Sequence, residues 1–147
     1  MSEGWTFPDR DNVHRTLGVR TVELSPTRVV LELDVTSRVH QPFGILHGGV
    51  SALLAEGAAS LGATLSVAPE HVCVGTELNI SHLRPLSEGV LRALATPVRQ
   101  GRTVQVWSIE LTDDQQRLIA TARCSLQVVN APVSQNSAPR LGRSQGC

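Results

Sequence analysis

Residues 41–69, QPFGILHGGVSALLAEGAASLGATLSVAP, contain the longest apolar run of the chain and decide its fold. Apolar side chains recur there at three- and four-residue spacing, which is typical of an amphipathic helix. Pro69 ends the pattern. From Gly48 to Pro69 the only charged residue is Glu56. The sequence therefore predicts one long, nearly enclosed helix with a single carboxylate in its middle.

A helical wheel divides this helix into two faces. The face predicted to pack on a sheet consists of Val50, Leu53, Leu54, Gly57, Ala58, Leu61 and Leu65. The opposite face carries Ala52, Ala55, Ala59 and Ala63 around Glu56 and Ser60. Small residues on a second face indicate that another backbone approaches closely, so we expect a partner subunit there. Composition alone also allows Glu56 to be a helix former exposed to water, because burying an unpaired carboxylate is costly.

Strand patterns on both sides of the helix predict a sheet. Residues 27–35 alternate apolar and polar side chains, as a half-buried strand does. Four more strand-like segments follow the helix, over residues 72–83, 90–98, 104–111 and 118–129. Short separators join them, so successive strands are expected to pair antiparallel. We predict an α+β domain in which a curved antiparallel sheet of about five to six strands wraps one central helix. A shorter helix is predicted over residues 11–17.

Length and composition set the class of protein. A chain of 147 residues that is 41% hydrophobic suits one domain with a core. We assign residues 1–18 to an N-terminal segment, 19–130 to the domain and 131–147 to a disordered tail. Thirteen basic residues balance thirteen acidic ones, which argues against nucleic-acid and membrane-surface partners. No export signal opens the chain, and the polar residues of the long helix disfavour a membrane span, so a cytoplasmic location is expected.

The cysteines and histidines argue against a metal site. Cys73, Cys124 and Cys147 lack the spacing of a zinc site or of a disulfide framework. Cys73 and Cys124 are predicted to be small buried strand residues rather than catalytic thiols. The five histidines form neither a helical pair nor a chelating cluster, so no metal and no other cofactor is expected.

The start of the long helix carries a second chemical feature. His47 stands at its boundary, and Gly48 and Gly49 occupy the first turn, where backbone N–H groups have no helical acceptor and no side chain shields them. Such a terminus can polarise a carbonyl oxygen or stabilise an oxyanion. The glycines alone are equally compatible with a tight loop-to-helix junction. Their combination with Glu56 in one helix favours a functional interpretation.

The stretch QPFGILHGGVSALLAEGAAS resembles the signature of the hotdog-fold acyl-CoA thioesterases of the PaaI-like superfamily, and the order of elements is similar over about residues 19–129. The chain is most similar to the branch of 1,4-dihydroxy-2-naphthoyl-CoA thioesterases, which act in menaquinone synthesis, and 4-hydroxybenzoyl-CoA thioesterases. Phenylacetate-degradation relatives typically carry aspartate in place of Glu56. The resemblance implies hydrolysis of an aromatic or medium-chain acyl-CoA to the free acid and CoA. It also implies a homodimer or homotetramer whose active sites are shared between subunits.

The resemblance implies catalytic roles for five residues. Glu56 corresponds to a carboxylate that acts as nucleophile or as general base. The N–H of Gly48 corresponds to the donor that polarises the thioester carbonyl. Gln41 corresponds to a glutamine that orients the thioester or water, and His47 to a residue that contacts the thioester region. Ser60 corresponds to a hydroxyl that steadies the carboxylate and water.

Five further residues correspond to contacts with substrate and CoA. His82 and Arg84 match a histidine and an arginine near the substrate and CoA channel. Gly101, Arg102 and Thr103 fall where relatives contact pantetheine or nucleotide. On the residues alone, a structural strand histidine and solvated turn arginines remain alternatives.

Two other functions stay open on the sequence. A hotdog hydratase or dehydratase places a histidine and an acid in motifs that differ from those of this chain. A non-catalytic acyl-CoA-binding regulator calls for an added DNA-binding domain, for which the roughly 20 residues before the first strand leave no room.

Overall fold

The structure is a computed structural model that describes residues 9–132. Within that range lie two α-helices, α1 (Val13–Leu17) and α2 (Gly48–Leu65), and one 3-10 turn at Ser37–Val39. The strands are β1 (Arg20–Leu24), β2 (Val29–Val35), β3 (His71–His82), β4 (Gly89–Gln100), β5 (Val104–Thr112) and β6 (Leu118–Asn130). No helix in the described part of the chain is both long and apolar enough to cross a membrane. Residues 1–8 and 133–147 lie outside the described range, and the latter include Cys147 and almost all of the predicted tail.

The strands form one antiparallel sheet in the order β1-β2-β4-β5-β6-β3, and α2 packs against its inner face. The predicted α+β class, the central helix and the antiparallel pairing are confirmed. The sequence pattern predicted β2 from the alternation of residues 27–35 but did not predict β1, which precedes it. All five residues of β1 are exposed, so this edge strand has no buried side to produce a period of two.

Helix α2 turns a different face to the sheet from the one that the wheel predicts. Ala55, Ala59 and Ala63, predicted on the back face, are fully buried in the core beside Leu54 and Ala58. Of the predicted sheet-facing residues, five are only half-buried, and these are Val50, Leu53, Gly57, Leu61 and Leu65. The small side chains therefore reflect the approach of the chain's own sheet, and these three alanines give no support to a partner subunit.

A glycine sets how closely the sheet approaches. The fully buried ring of Trp107 in β5 lies directly over Gly62 of α2, and a Cβ atom on Gly62 would be 2.8 Å from Cζ3 of that ring. The indole N–H of Trp107 donates to Oε1 of Gln105 at 2.9 Å, and the Gln105 amide donates to the Ser66 hydroxyl at 2.8 Å. These bonds join the sheet to the C-terminal end of α2 and leave the buried indole N–H satisfied.

We expect the substitution Gly62→Ala to lower the free energy of unfolding by about 1–3 kcal/mol, because the added methyl group overpacks the core against Trp107. The loss should appear even though alanine is the better helix former by about 1 kcal/mol. Urea denaturation of Gly62→Ala, Trp107→Phe and the double variant measures the coupling between the two sites. Purely additive losses would contradict a direct contact.

Candidate active site

The loop before α2 holds Gln41 in a closed turn. The backbone N–H of Gln41 donates to the carbonyl of Ile45 at 2.8 Å, and the N–H of Gly44 donates to the carbonyl of Gln41 at 3.0 Å. Gly44 has a φ of 84°, a left-handed conformation that glycine adopts without strain. The Gln41 side-chain oxygen accepts a hydrogen bond from the N–H of Phe43. The side-chain carbonyl of Gln41 is thus engaged by the loop itself.

The first turn of α2 presents a backbone donor without an acceptor. His47 is the N-cap, and its Nδ1 accepts a hydrogen bond from the N–H of Gly49 at 2.8 Å. The N–H of Gly48 has no acceptor among residues 9–132. The absence of a side chain on Gly48 also matters, because a Cβ atom there would be 2.8 Å from Nε2 of His82. The glycine therefore lets the imidazole of His82 lie against the start of the helix.

A pocket of about 380 Å³ opens beside this helix start. Its lining brings together four of the predicted site residues, which are Gln41, Gly48, His82 and Arg84. Ser51 also lines it, and the other walls are Ile45, Leu46, Leu83, Pro85, Leu86 and Ile119. The pocket thus combines apolar walls with a free backbone donor at the end of a helix, where the helix dipole favours negative charge. The resemblance of the helix signature did not single out Ser51, and its only local signal is a hydroxyl among apolar helix residues.

Glu56 lies outside this pocket. It is half-buried, and its side chain covers Gly75 of β3, where a Cβ atom would be 2.9 Å from the Glu56 carboxyl carbon. A helix rises 1.5 Å per residue, so Glu56 lies about 12 Å along α2 from Gly48, which is farther than a glutamate side chain spans. One chain therefore does not bring the Gly48 N–H and the Glu56 carboxylate to the same small group. Ser60 follows Glu56 by one turn and is half-buried, and neither side chain makes a hydrogen bond within residues 9–132.

Gly101, Arg102 and Thr103 lie at the other end of α2. They line a cavity of about 860 Å³ together with Ser66 and His71. The 18-residue helix places this cavity about 27 Å from Gly48. His82 and Arg84, by contrast, line the pocket at the helix start. Within one chain, the predicted substrate and CoA contacts therefore lie in two separate groups, one at each end of α2.

The two described cysteines are buried thiols. Cys73 and Cys124 are buried in β3 and β6 and form no disulfide, as predicted from the sequence. Burial raises the pKa of each thiol to about 11, and for Cys124 the negative charge of Glu56 adds to the effect. Burial also lowers the pKa of His14, whose ring packs on Gly57 of α2. Within residues 9–132 no three His, Cys, Asp or Glu side chains gather as metal ligands would.

We expect the Cys147→Ser variant to react with Ellman's reagent at pH 8 only after denaturation. Both remaining thiols are buried, and with pKa values of about 11 they carry almost no thiolate at that pH. Absorbance of the released thionitrobenzoate, followed with and without guanidinium chloride, measures this. Rapid labelling of the native variant would contradict the buried positions.

Known proteins match most of the described chain. Residues 43–120 fit the family model of the thioesterase superfamily. The 1,4-dihydroxy-2-naphthoyl-CoA hydrolase of Listeria monocytogenes is 41% identical over 116 residues, which make up 79% of this chain and 94% of that relative. This chain belongs to the thioesterase superfamily. The thioesterase is therefore a thioester hydrolase, as the resemblance of the helix signature implies.

Solved structures share the fold of this thioesterase. Thioesterase HI1161 of Haemophilus influenzae has a TM-score of 0.78 at 36% identity, with 82% of this chain and 84% of that chain covered. The PaaI protein of Escherichia coli has a TM-score of 0.76 at 23% identity, covering 84% and 88% of the two chains, and at that identity it supports the fold alone. The hotdog fold predicted from the sequence is confirmed, and the PaaI protein is among the structures that share it. The roles of the individual site residues stay predictions.

Proposed function

We propose that this thioesterase hydrolyses an aromatic or medium-chain acyl-CoA to the free acid and CoA. The observation that carries the proposal is the N–H of Gly48, which has no acceptor in residues 9–132, at a residue that lines a pocket with largely apolar walls. A thioester carbonyl oxygen is a suitable acceptor, and an acyl group suits the walls. The activity of the Listeria relative on 1,4-dihydroxy-2-naphthoyl-CoA supports an aromatic acyl group and a place in menaquinone synthesis.

The proposed chemistry begins with the carbonyl oxygen accepting a hydrogen bond from Gly48. As the carbonyl carbon becomes tetrahedral, negative charge grows on that oxygen, and the N–H at the positive end of α2 stabilises it. Loss of one such donor costs about 3 kcal/mol of transition-state stabilisation in other enzymes. Gln41 and His82 line the same pocket, where they would orient the thioester, while His47 fixes the first turn. The C–S bond then breaks and CoA leaves as a thiolate, which takes up a proton.

We propose that Glu56 reaches this thioester from a second subunit. The separation of about 12 Å along α2 excludes Glu56 and Gly48 of one chain from acting on one carbonyl. Strand β3 is an edge strand of 12 residues, it carries the exposed Val74, and Glu56 packs beside it on Gly75. Pairing of two β3 edges about a two-fold axis would set the two α2 helices antiparallel, so that the partner's Glu56 faces Gly48.

The same antiparallel arrangement accounts for the divided CoA contacts. The C-terminal end of one α2, with Arg102 and its neighbours, would approach the N-terminal end of the other, where Arg84 lies. An extended CoA would then contact both subunits. In this proposal Glu56 either attacks the carbonyl carbon and forms a mixed anhydride, which water then hydrolyses to the free acid with release of the Glu56 carboxylate, or it removes a proton from the attacking water and passes it to the leaving thiolate. Ser60 would steady the carboxylate and the water.

We expect Glu56→Gln to reduce kcat on acyl-CoA thioesters by roughly 10²- to 10⁴-fold, because the attacking oxygen or the base is lost. The melting temperature should hardly change, since the Glu56 carboxylate makes no ion pair or hydrogen bond within the described residues. Release of free thiol from a panel of aryl- and aliphatic-acyl-CoAs measures turnover. Glu110→Gln, an exposed change on β5, is the matched control.

Unchanged turnover in Glu56→Gln would remove this carboxylate from the chemistry. Release of no thiol from any acyl-CoA by the wild type would overturn the proposed substrate class. Tight binding of an acyl-CoA without its consumption would instead favour the acyl-CoA-binding alternative, and hydration or dehydration of the acyl group would favour the hydratase alternative.

The shared site can be tested by combining two defective subunits. We expect a purified heterodimer of Glu56→Gln and Gln41→Ala subunits, co-expressed with different affinity tags, to recover about half of the wild-type activity, because one of its two sites is intact. Each variant homodimer should be far less active. A heterodimer no more active than the mean of the two homodimers would place Glu56 and Gln41 in the same chain's site.

A further inference from the structure

Ser51 is the one buried polar side chain of residues 9–132 whose hydrogen-bonding group has no partner. Only 1% of Ser51 is exposed. The other buried polar side chains are all paired, with Thr64 accepting from Cys73, Gln105 donating to Ser66, and Asp113 accepting from Arg117. Buried hydroxyl groups in folded proteins almost always have a hydrogen-bond partner. An unpaired hydroxyl in a pocket therefore points to a ligand that supplies the partner.

The position of Ser51 relates it to the proposed thioester site. It lies three residues after Gly48, on the same side of α2 and about 4.5 Å farther along the helix axis. Both residues line the pocket beside the helix start. A substrate whose carbonyl oxygen meets the Gly48 N–H would therefore place its acyl group alongside the hydroxyl of Ser51.

Other groups in the pocket do not supply the missing partner. The side-chain oxygen of Gln41 already accepts from Phe43, and the ring of His82 lies against Gly48. The walls around Ser51 are largely aliphatic. A plain hydrocarbon acyl group leaves the Ser51 hydroxyl as unpaired as it is in the free protein, whereas an oxygen substituent on the acyl group would supply its missing partner.

We propose that Ser51 is a specificity-determining residue that hydrogen-bonds a hydroxyl or other oxygen substituent of the acyl group. The proposal rests on the acyl-CoA thioesterase activity proposed above and adds the class of acyl group. A site that hydrogen-bonds a substrate hydroxyl discriminates strongly against the analogue that lacks it, because its own polar group is then left unpaired. The pocket thus selects oxygenated acyl groups over hydrocarbon groups of similar shape.

The test compares benzoyl-CoA with 2-, 3- and 4-hydroxybenzoyl-CoA in wild type and Ser51→Ala. We expect the wild type to prefer at least one hydroxylated substrate, and Ser51→Ala to reduce that preference by roughly 10- to 100-fold in kcat/KM. The rate on benzoyl-CoA should stay the same or rise. The melting temperature should not fall, because the substitution removes an unpaired buried hydroxyl.

Two further variants separate hydrogen bonding from shape. Ser51→Cys keeps the branching and leaves no cavity, although its thiol is somewhat larger, and it replaces the hydroxyl by a weak donor, so it should lose the preference as the alanine variant does. Ser108→Ala lies on the alternate side of β5 from the buried Trp107 and Ile109, and it should keep the wild-type preference.

The outcomes distinguish the two proposals. Absence of hydrolysis of every acyl-CoA by the wild type overturns the proposed function. Hydrolysis with a substrate preference that is the same in wild type and Ser51→Ala overturns only the role of Ser51. A fall in melting temperature together with an equal loss on all four substrates also overturns it, because that result assigns the hydroxyl to folding.

Discussion

The close contact between α2 and the sheet that wraps it is the constraint on which the rest of the structure depends. The sheet curves around one helix, and the ring of Trp107 reaches within van der Waals distance of the backbone at Gly62. The side of α2 that faces the sheet therefore carries mostly small residues, and Ala55, Ala59 and Ala63 on that side are fully buried. A tightly packed helix cannot slide or rotate, so every group that it carries has a fixed place relative to the sheet.

That rigidity makes the spacing along α2 chemically meaningful. The helix offers a free N–H at Gly48, a carboxylate at Glu56 and, past its C-terminal end, the cavity lined by Arg102. Neither the separation of about 12 Å nor that of about 27 Å can close by side-chain motion. A thioester site that uses all of these groups requires a second helix running the opposite way. The open edge of β3, next to Glu56, is the surface that would bring it there.

Two other glycines also allow a close approach, here of predicted site residues to the backbone. The missing side chain at Gly48 makes room for His82, and that at Gly75 makes room for the side chain of Glu56. In each case the side chain of a predicted site residue lies directly against the backbone of the glycine. Specificity within the pocket then depends on few polar groups, because most of its walls are aliphatic. Ser51 is one of these polar groups.

The sequence by itself determined the long helix, five of the six strands and the superfamily. Periods of 3.6 and 2 predicted α2 and the strands β2 to β6, since each has a buried and a less buried side, and the segment around His47 and Glu56 was sufficient for the superfamily. Only the tertiary structure decided which face of α2 meets the sheet. Nearly every side of that helix is apolar, so a helical wheel places the leucines against the sheet. The curved sheet comes so close to the helix that small residues face it instead. Burial and distance in three dimensions likewise decided that Ser51 is enclosed and that Gly48 and Glu56 of one chain stay apart.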